Sequence, residues 1–129
     1  METVIYHNPS CSTSRKTLAL LREHGIEPRI VEYLKTPPDR QTLAAMAARM
    51  GVPVRTLLRR KEALYKEMEL DDARWSDEEL LDAAVAHPVL IERPIVVTDS
   101  GVRLGRPPES VLEIIGAGKP DGGPAAAGR

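Results

Sequence analysis

The sequence predicts an α/β fold: a mixed sheet flanked by helices, with a helical insertion between an N-terminal β-α-β part and a C-terminal β-β-α part. Three observations carry that reading. A β-branched and aromatic run, Thr3-Val4-Ile5-Tyr6, opens the chain and gives way to a helical pattern. The middle holds a period of about 3.6 residues and is punctuated by Gly and Pro rather than by strand-like alternation. The last third returns to short apolar runs, Ile95-Val96-Val97 and Val102-Arg103-Leu104, around the turn sequence Asp99-Ser100-Gly101.

Thr3 to Tyr6 is the first strand, and His7-Asn8-Pro9-Ser10 is the loop that follows it. From Ser12 a helix begins, with Leu18 and Leu21 on one face and Gly25 as its stop. Arg29 to Leu34 is a second strand, closed by Thr36-Pro37-Pro38. Asp39 is the N-cap of the next helix. Leu43, Met46, Ala47 and Met50 recur there at i, i+3, i+4 and i+7, and Gly51 ends it. Pro53 starts a further short helix through Leu57 and Leu58. Glu62 to Trp75 is charged and shows no clean period. Ser76-Asp77-Glu78-Glu79 is a capping box ahead of Leu80, Leu81, Ala84 and Val85, and His87-Pro88 ends that helix. Ile95 to Val97 reads as a buried strand and Val102 to Leu104 as its hairpin partner. Pro107 or Pro108 opens a last helix through Val111, Leu112 and Ile115.

With the insertion removed, this order is the plan of a thioredoxin-like domain, an analogy of fold that does not by itself give function. Residues 1–116 are expected to form that domain, and 117–129, almost all Gly, Ala and Pro, a disordered tail. A chain of 129 residues suits a single core. It has no apolar run of ~18 residues, and Met1 leads into the first strand without the basic and apolar regions of a signal peptide. A cytoplasmic protein with no membrane partner is therefore expected. A net charge of -1 gives no reason to expect nucleic-acid binding, and no His, Cys and carboxylate cluster has metal-ligand spacing.

Chemistry concentrates on the one cysteine, Cys11. A single thiol excludes an intrachain disulfide and a Cys-x-x-Cys site, so any second redox thiol must come from another molecule. A lone cysteine is ordinarily buried and inert. Cys11, however, sits in the loop between the first strand and first helix, at the carboxyl edge of the sheet where α/β proteins bind ligands. The sulfur then meets a helix N-terminus, whose unpaired N–H groups stabilise a thiolate and receive an oxyanion. Ser12, Thr13 and Ser14 add hydroxyl donors and Arg15 adds charge.

His7 stands four residues before Cys11 and is a candidate to tune the thiol through a neighbour. The positive charge is 13 Arg against 5 Lys, which on count alone reflects only composition. Position is more telling: Arg59 and Arg60 follow a short helix, Arg93 precedes Pro94, and Arg106 precedes Pro107-Pro108. Guanidinium forks suit a multiply charged oxyanion better than lysines do. Arg93-Pro94 ahead of a buried strand is where a thioredoxin-like fold carries a cis-proline facing the active-site helix, which puts Arg93 near Cys11 by that analogy.

These residues resemble the glutaredoxin-coupled arsenate reductases of the ArsC type. The matching segments are Tyr6-His7-Asn8-Pro9-Ser10-Cys11-Ser12-Thr13-Ser14-Arg15, Tyr33-Leu34-Lys35-Thr36-Pro37-Pro38, Arg55-Thr56-Leu57-Leu58-Arg59, His87-Pro88-Val89-Leu90-Ile91-Glu92-Arg93-Pro94 and Arg103-Leu104-Gly105-Arg106-Pro107. The resemblance implies that Cys11 is the nucleophile and that Arg59, Arg93 and Arg106 hold the substrate anion, with Ser12, Thr13, Ser14 and Arg15 around it. Two positions depart from the commonest pattern. Ser12 stands where Gly is frequent, which would narrow the anion loop, and Gly105 stands where Cys is frequent, which is expected to matter little.

The activity so implied is reduction of arsenate to arsenite through a covalent Cys11 adduct, for arsenic detoxification. Glutathione would be the co-substrate, glutaredoxin the protein partner, and no cofactor would be tightly bound. Two other classes fit parts of the sequence. A glutathione-dependent thiol reductase or transferase would not need the three arginines. A transcription regulator of the Spx type carries a Cys-x-x-Cys switch, whereas position 14 here is Ser14.

Overall fold

The computed structural model describes residues 2–115. The segment 117–129, expected to be a disordered tail, lies outside the described residues. Four strands form one sheet: β1 (Val4–His7), β2 (Arg29–Glu32), β3 (Ile95–Thr98) and β4 (Gly101–Leu104), in the order β2-β1-β3-β4. β1 and β3 are antiparallel with Ile5 opposite Val96, and β3 and β4 form a hairpin with Val97 opposite Val102. The helices are α1 (Ser12–Glu23), α2 (Arg40–Met50), α3 (Ala63–Glu67), α4 (Asp77–Ala86) and α5 (Leu112–Ile115). The chain is thus the α/β fold with a helical insertion that the hydrophobic pattern predicts.

Two compact units share these elements, residues 2–31 with 93–115 and residues 32–92. The first contains the sheet, α1 and α5. Ile5 from β1, Leu18 and Leu21 from α1, Val96 from β3, and Val111 and Ile114 near the end form its buried cluster. Each such aliphatic side chain removed from water contributes about 1.5–3 kcal/mol. Helix α1 ends as Gly25 predicts: Gly25 takes φ 77°, its N–H donates to Arg22 O, and Ile26 N–H reaches back to Leu21 O at 3.0 Å. These paired bonds satisfy the last carbonyls of the helix, and Ile26 packs on the same apolar cluster.

The second unit is helical. Asp39 caps α2 by accepting from Thr42 N–H at 2.7 Å, and the helix closes on left-handed Gly51. The capping box of α4 is complete, with Ser76 Oγ accepting from Glu79 N–H and Glu79 accepting from Ser76 N–H. Leu43, Leu57, Leu81 and Ile91 are buried within it. The expected short helix after Pro53 is a 3-10 turn over Val54–Leu57, and the charged stretch without clean period holds α3.

Two boundaries differ from expectation. The second strand stops at Glu32 instead of Leu34, because the N–H groups of Lys35 and Thr36 both bond back to Glu32 O and fold the chain over before Pro37. The last helix begins as a 3-10 turn, Pro108–Val111, before α5. Among the described residues no helix is long and apolar enough to cross a membrane.

Candidate active site

Cys11 is the N-cap of α1, with an extended backbone (φ -97°, ψ 121°). Asn8 shapes the loop that presents it. Cys11 N–H donates to Asn8 O at 3.0 Å, and Asn8 Oδ1 accepts from Ser10 N–H at 2.9 Å. Arg15, one turn into the helix, donates from Nη1 to Pro9 O at 2.8 Å and fastens the loop from its other side. Arg15 is therefore engaged by the loop's own backbone. With its own N–H used inward, Cys11 leaves the free amides of the first turn to face its sulfur.

Desolvation pushes the Cys11 thiol up, and four opposing effects outweigh it. The Ser14 N–H, the Arg106 side chain, the Thr13 N–H and the charge on Arg106 all favour the thiolate, and together they hold the thiol below its ordinary value. The physical cause is the one the loop position suggests: helix N-terminal amides and a guanidinium stabilise negative sulfur. Among the described residues no group of three or more His, Cys, Asp or Glu could hold a metal ion.

Arg106 reaches the thiol from the end of the hairpin. Its Nη1 lies 3.9 Å from Cys11 Sγ and donates to Arg93 O at 2.9 Å. Arg93 is itself 7% exposed. The peptides Arg93-Pro94 and Arg106-Pro107 are both cis. The first was expected from the fold analogy and the second was not. Between them, Gly105 N–H donates to Pro94 O at 2.9 Å. The expectation that Gly105 matters little does not hold for this backbone. A Cβ there would stand 2.6 Å from Thr17 Oγ1 and 2.8 Å from Pro94 Cγ, closer than a real Cβ comes.

The first-turn residues divide by what they do. Ser12 is exposed and Thr13 half-buried, and both lie at the helix opening beside the sulfur. Ser14 is fully buried, and its hydroxyl faces inward. Ser14 Oγ lies 2.6 Å from His7 Nδ1 and accepts from Asn8 N–H at 3.1 Å. His7 is thus linked to Cys11 through Ser14, whose amide is the strongest of the thiolate-favouring partners.

Arg59 belongs to the second unit. Its N–H donates to Leu90 O at 2.7 Å, Glu92 N–H donates to Leu57 O at 2.7 Å, and Leu58 pairs with Ile91 between them. This short bridge brings Arg59 Nη1 to 3.4 Å from Glu92 Oε1, with both side chains mostly buried. Arg60 points the other way and donates to Asp71 Oδ1 at 2.6 Å, in an exposed pair. Of the two adjacent arginines, Arg59 is the less exposed and Arg60 the more exposed.

The ArsC family model matches residues 6–114. The chain belongs to the ArsC family. It is 55% identical over 115 residues to an arsenate reductase of Rhizobium meliloti (strain 1021), a match covering 89% of this chain and 82% of that one. It is 54% identical over 113 residues to the uncharacterized protein YfgD of Escherichia coli (strain K12), covering 87% and 95%. Among solved structures, an arsenate reductase from Vibrio cholerae superposes with a TM-score of 0.86 at 52% identity, covering 89% of this chain and 98% of that one. The ArsC chain described here therefore shares both sequence and sheet-and-helix plan with named arsenate reductases.

Asn8 and Thr17 carry loop-shaping bonds that sequence reasoning did not single out. A signal for Asn8 was available, because Asn-Pro-Ser after a strand initiates a turn. For Thr17 there was none, since its partner lies 88 residues away.

Proposed function

We propose that this protein is a cytoplasmic arsenate reductase that uses Cys11 as nucleophile, glutathione as co-substrate and glutaredoxin as protein partner. The observation that carries the reading is the Arg106 guanidinium held between Arg93 O and Cys11 Sγ at a helix N-terminus. The cation and amides favour the nucleophilic thiolate, and the same groups attract a tetrahedral oxyanion. Identity above 50% to a named arsenate reductase supports arsenate as that anion.

In the cycle, the Cys11 thiolate attacks arsenic and hydroxide or water leaves, giving a Cys–S–As(V) adduct. Glutathione thiolate displaces a second oxygen from arsenic. A glutaredoxin thiolate then takes the glutathione sulfur as a mixed disulfide, and the electron pair of the As–S(glutathione) bond stays on arsenic, now As(III). Water releases arsenite and returns Cys11 as the thiolate. Two thiols are oxidised to one disulfide as arsenic gains two electrons. Arg93 and Arg106 hold the oxyanion as charge shifts, the amides of Ser12, Thr13 and Ser14 line its approach, and Arg15 keeps the loop in shape. Arg59 is assigned to the substrate on the family pattern.

The test is arsenate-dependent NADPH oxidation with glutathione, glutaredoxin and glutathione reductase. Turnover is expected for the wild type and its loss for Cys11→Ser. NADPH oxidation that proceeds equally without arsenate would instead identify a glutathione-dependent thiol reductase.

A further inference from the structure

Thr17 lies one turn beyond the residues assigned to the oxyanion, and it is fully buried. A buried hydroxyl needs an acceptor, and its own helix supplies one: Thr17 Oγ1 donates to Thr13 O at 2.9 Å. That bond alone would make Thr17 an ordinary helix residue. The one hydroxyl proton is shared with a second acceptor, Gly105 O, at 3.3 Å. The approach depends on Gly105, where any Cβ would collide with both Thr17 Oγ1 and Thr17 Cγ2.

Gly105 is held through both of the peptide groups that flank its Cα. Its N–H is held by Pro94 O and its carbonyl faces Thr17. The next residue is Arg106, whose guanidinium spans Arg93 O and Cys11 Sγ. Helix α1 therefore meets the Arg106 loop twice, at the thiol and at Thr17, about one and a half turns along the helix. Two separated attachments fix an orientation where one would leave a pivot.

We propose that Thr17 is a positioning residue, whose hydroxyl joins helix α1 to the Gly105 carbonyl and so sets where the Arg106 guanidinium meets Cys11. The inference rests on the proposed function only for calling Arg106 an oxyanion ligand. The placement of Arg106 on the thiol is testable without arsenate.

The experiment is Thr17→Val, which keeps the β-branched shape and removes the hydroxyl, with Thr17→Ser as the conservative variant. Thiolate absorbance of Cys11 is titrated against pH, and kcat and KM for arsenate are measured beside it. Thr17→Val is expected to raise the thiol midpoint and lower kcat/KM about fivefold to tenfold, the scale of one lost hydrogen bond, while Thr17→Ser restores both. Repeating Thr17→Val in an Arg106→Ala background separates the routes. If Thr17 acts through Arg106, the thiol midpoint moves no further in the double variant. A full further rise there overturns the proposal. So does a Thr17→Val protein that melts lower but keeps the wild-type midpoint and kinetics. Absence of arsenate turnover in every variant, with the thiol shifts as expected, would count against the proposed substrate and leave this inference standing.

Discussion

Arg106 Nη1 touches the sulfur of Cys11 at 3.9 Å while the same nitrogen is anchored on Arg93 O at 2.9 Å. The cation that favours the thiolate is thus pinned to backbone next to a second, buried arginine. Removing it should act on the resting thiol and on catalysis together. Arg106→Ala is expected to raise the thiol midpoint and cut kcat/KM by about a hundredfold, the scale of losing a fixed charged donor. The stability consequence has a definite sign. The folded thiol titrates below its unfolded value, so the thiolate stabilises the native state fully at pH above about 8.5, and that contribution is lost as pH falls through the folded midpoint. Denaturant midpoints measured across that interval should show a weaker pH dependence in Arg106→Ala. An unchanged thiol titration would detach Arg106 from the nucleophile.

Ser14 offers a second handle on the same sulfur. Its hydroxyl is buried between His7 Nδ1 and Asn8 N–H, and its amide faces Cys11. Ser14→Ala leaves the buried Asn8 N–H without that acceptor, at a cost of about 1–3 kcal/mol, readable in the urea midpoint. The same variant should raise the thiol midpoint, because the first turn of α1 is no longer tied to the end of β1. His7→Ala should produce a smaller rise of the same sign, since His7 meets Cys11 only through Ser14. Two variants that both titrate like wild type would remove thiol tuning from His7.

These variants also mark how far the sequence could be read. Strand β1, helix α1 with its Gly25 stop, the Asp39 cap and the Ser76-Glu79 box were legible because each rests on neighbours in sequence. Cys11 was legible for the same reason: strand, loop and helix are consecutive, so the helix N-terminus falls on it. Arg93 was reachable only through the fold analogy and Arg106 only through the resemblance, since Arg106 meets Cys11 across 95 residues of chain. The inward role of the Ser14 hydroxyl, the close approach of Gly105 to Thr17 and the second cis-proline needed coordinates. A side chain's direction around the helix opening is decided by what packs on it, and no periodicity encodes that. Arg29 to Leu34 was read too long because Tyr33 is a strand former and Leu34 continues the apolar run, whereas the backbone bonds to Glu32 O turn the chain first.

Arg59 and Arg60 are adjacent and chemically equal, yet their surroundings differ. Arg59 is mostly buried beside Glu92, while Arg60 is exposed and paired with Asp71, which also accepts from Tyr65 Oη at 3.0 Å. Arg60→Ala should leave kcat/KM within about twofold and cost under ~1 kcal/mol of stability, as exposed pairs do. Arg59→Ala is expected to impair arsenate turnover or change the oxidation state of the arsenic released, followed by speciation of the product. A strong loss for Arg60→Ala with a silent Arg59→Ala would reverse the assignment.

The electron source follows from the cysteine count. Cys11 is the only thiol in the chain, so the arsenic adduct cannot be resolved by an internal disulfide. Thioredoxin reduces disulfides by dithiol exchange, and here no intramolecular disulfide can form for it to accept. Glutathione supplies the missing sulfur, and glutaredoxin removes that sulfur as a mixed disulfide while arsenic keeps the electron pair. Activity is therefore expected with glutathione plus glutaredoxin, and near none with thioredoxin plus thioredoxin reductase. Both systems should be run on one preparation, with mass spectrometry of the trapped intermediate. Glutathione should be found joined through arsenic to Cys11. Full turnover with thioredoxin and no glutathione would overturn the coupling while leaving Cys11 as the nucleophile, because the thiolate's first attack on arsenic needs no reductant.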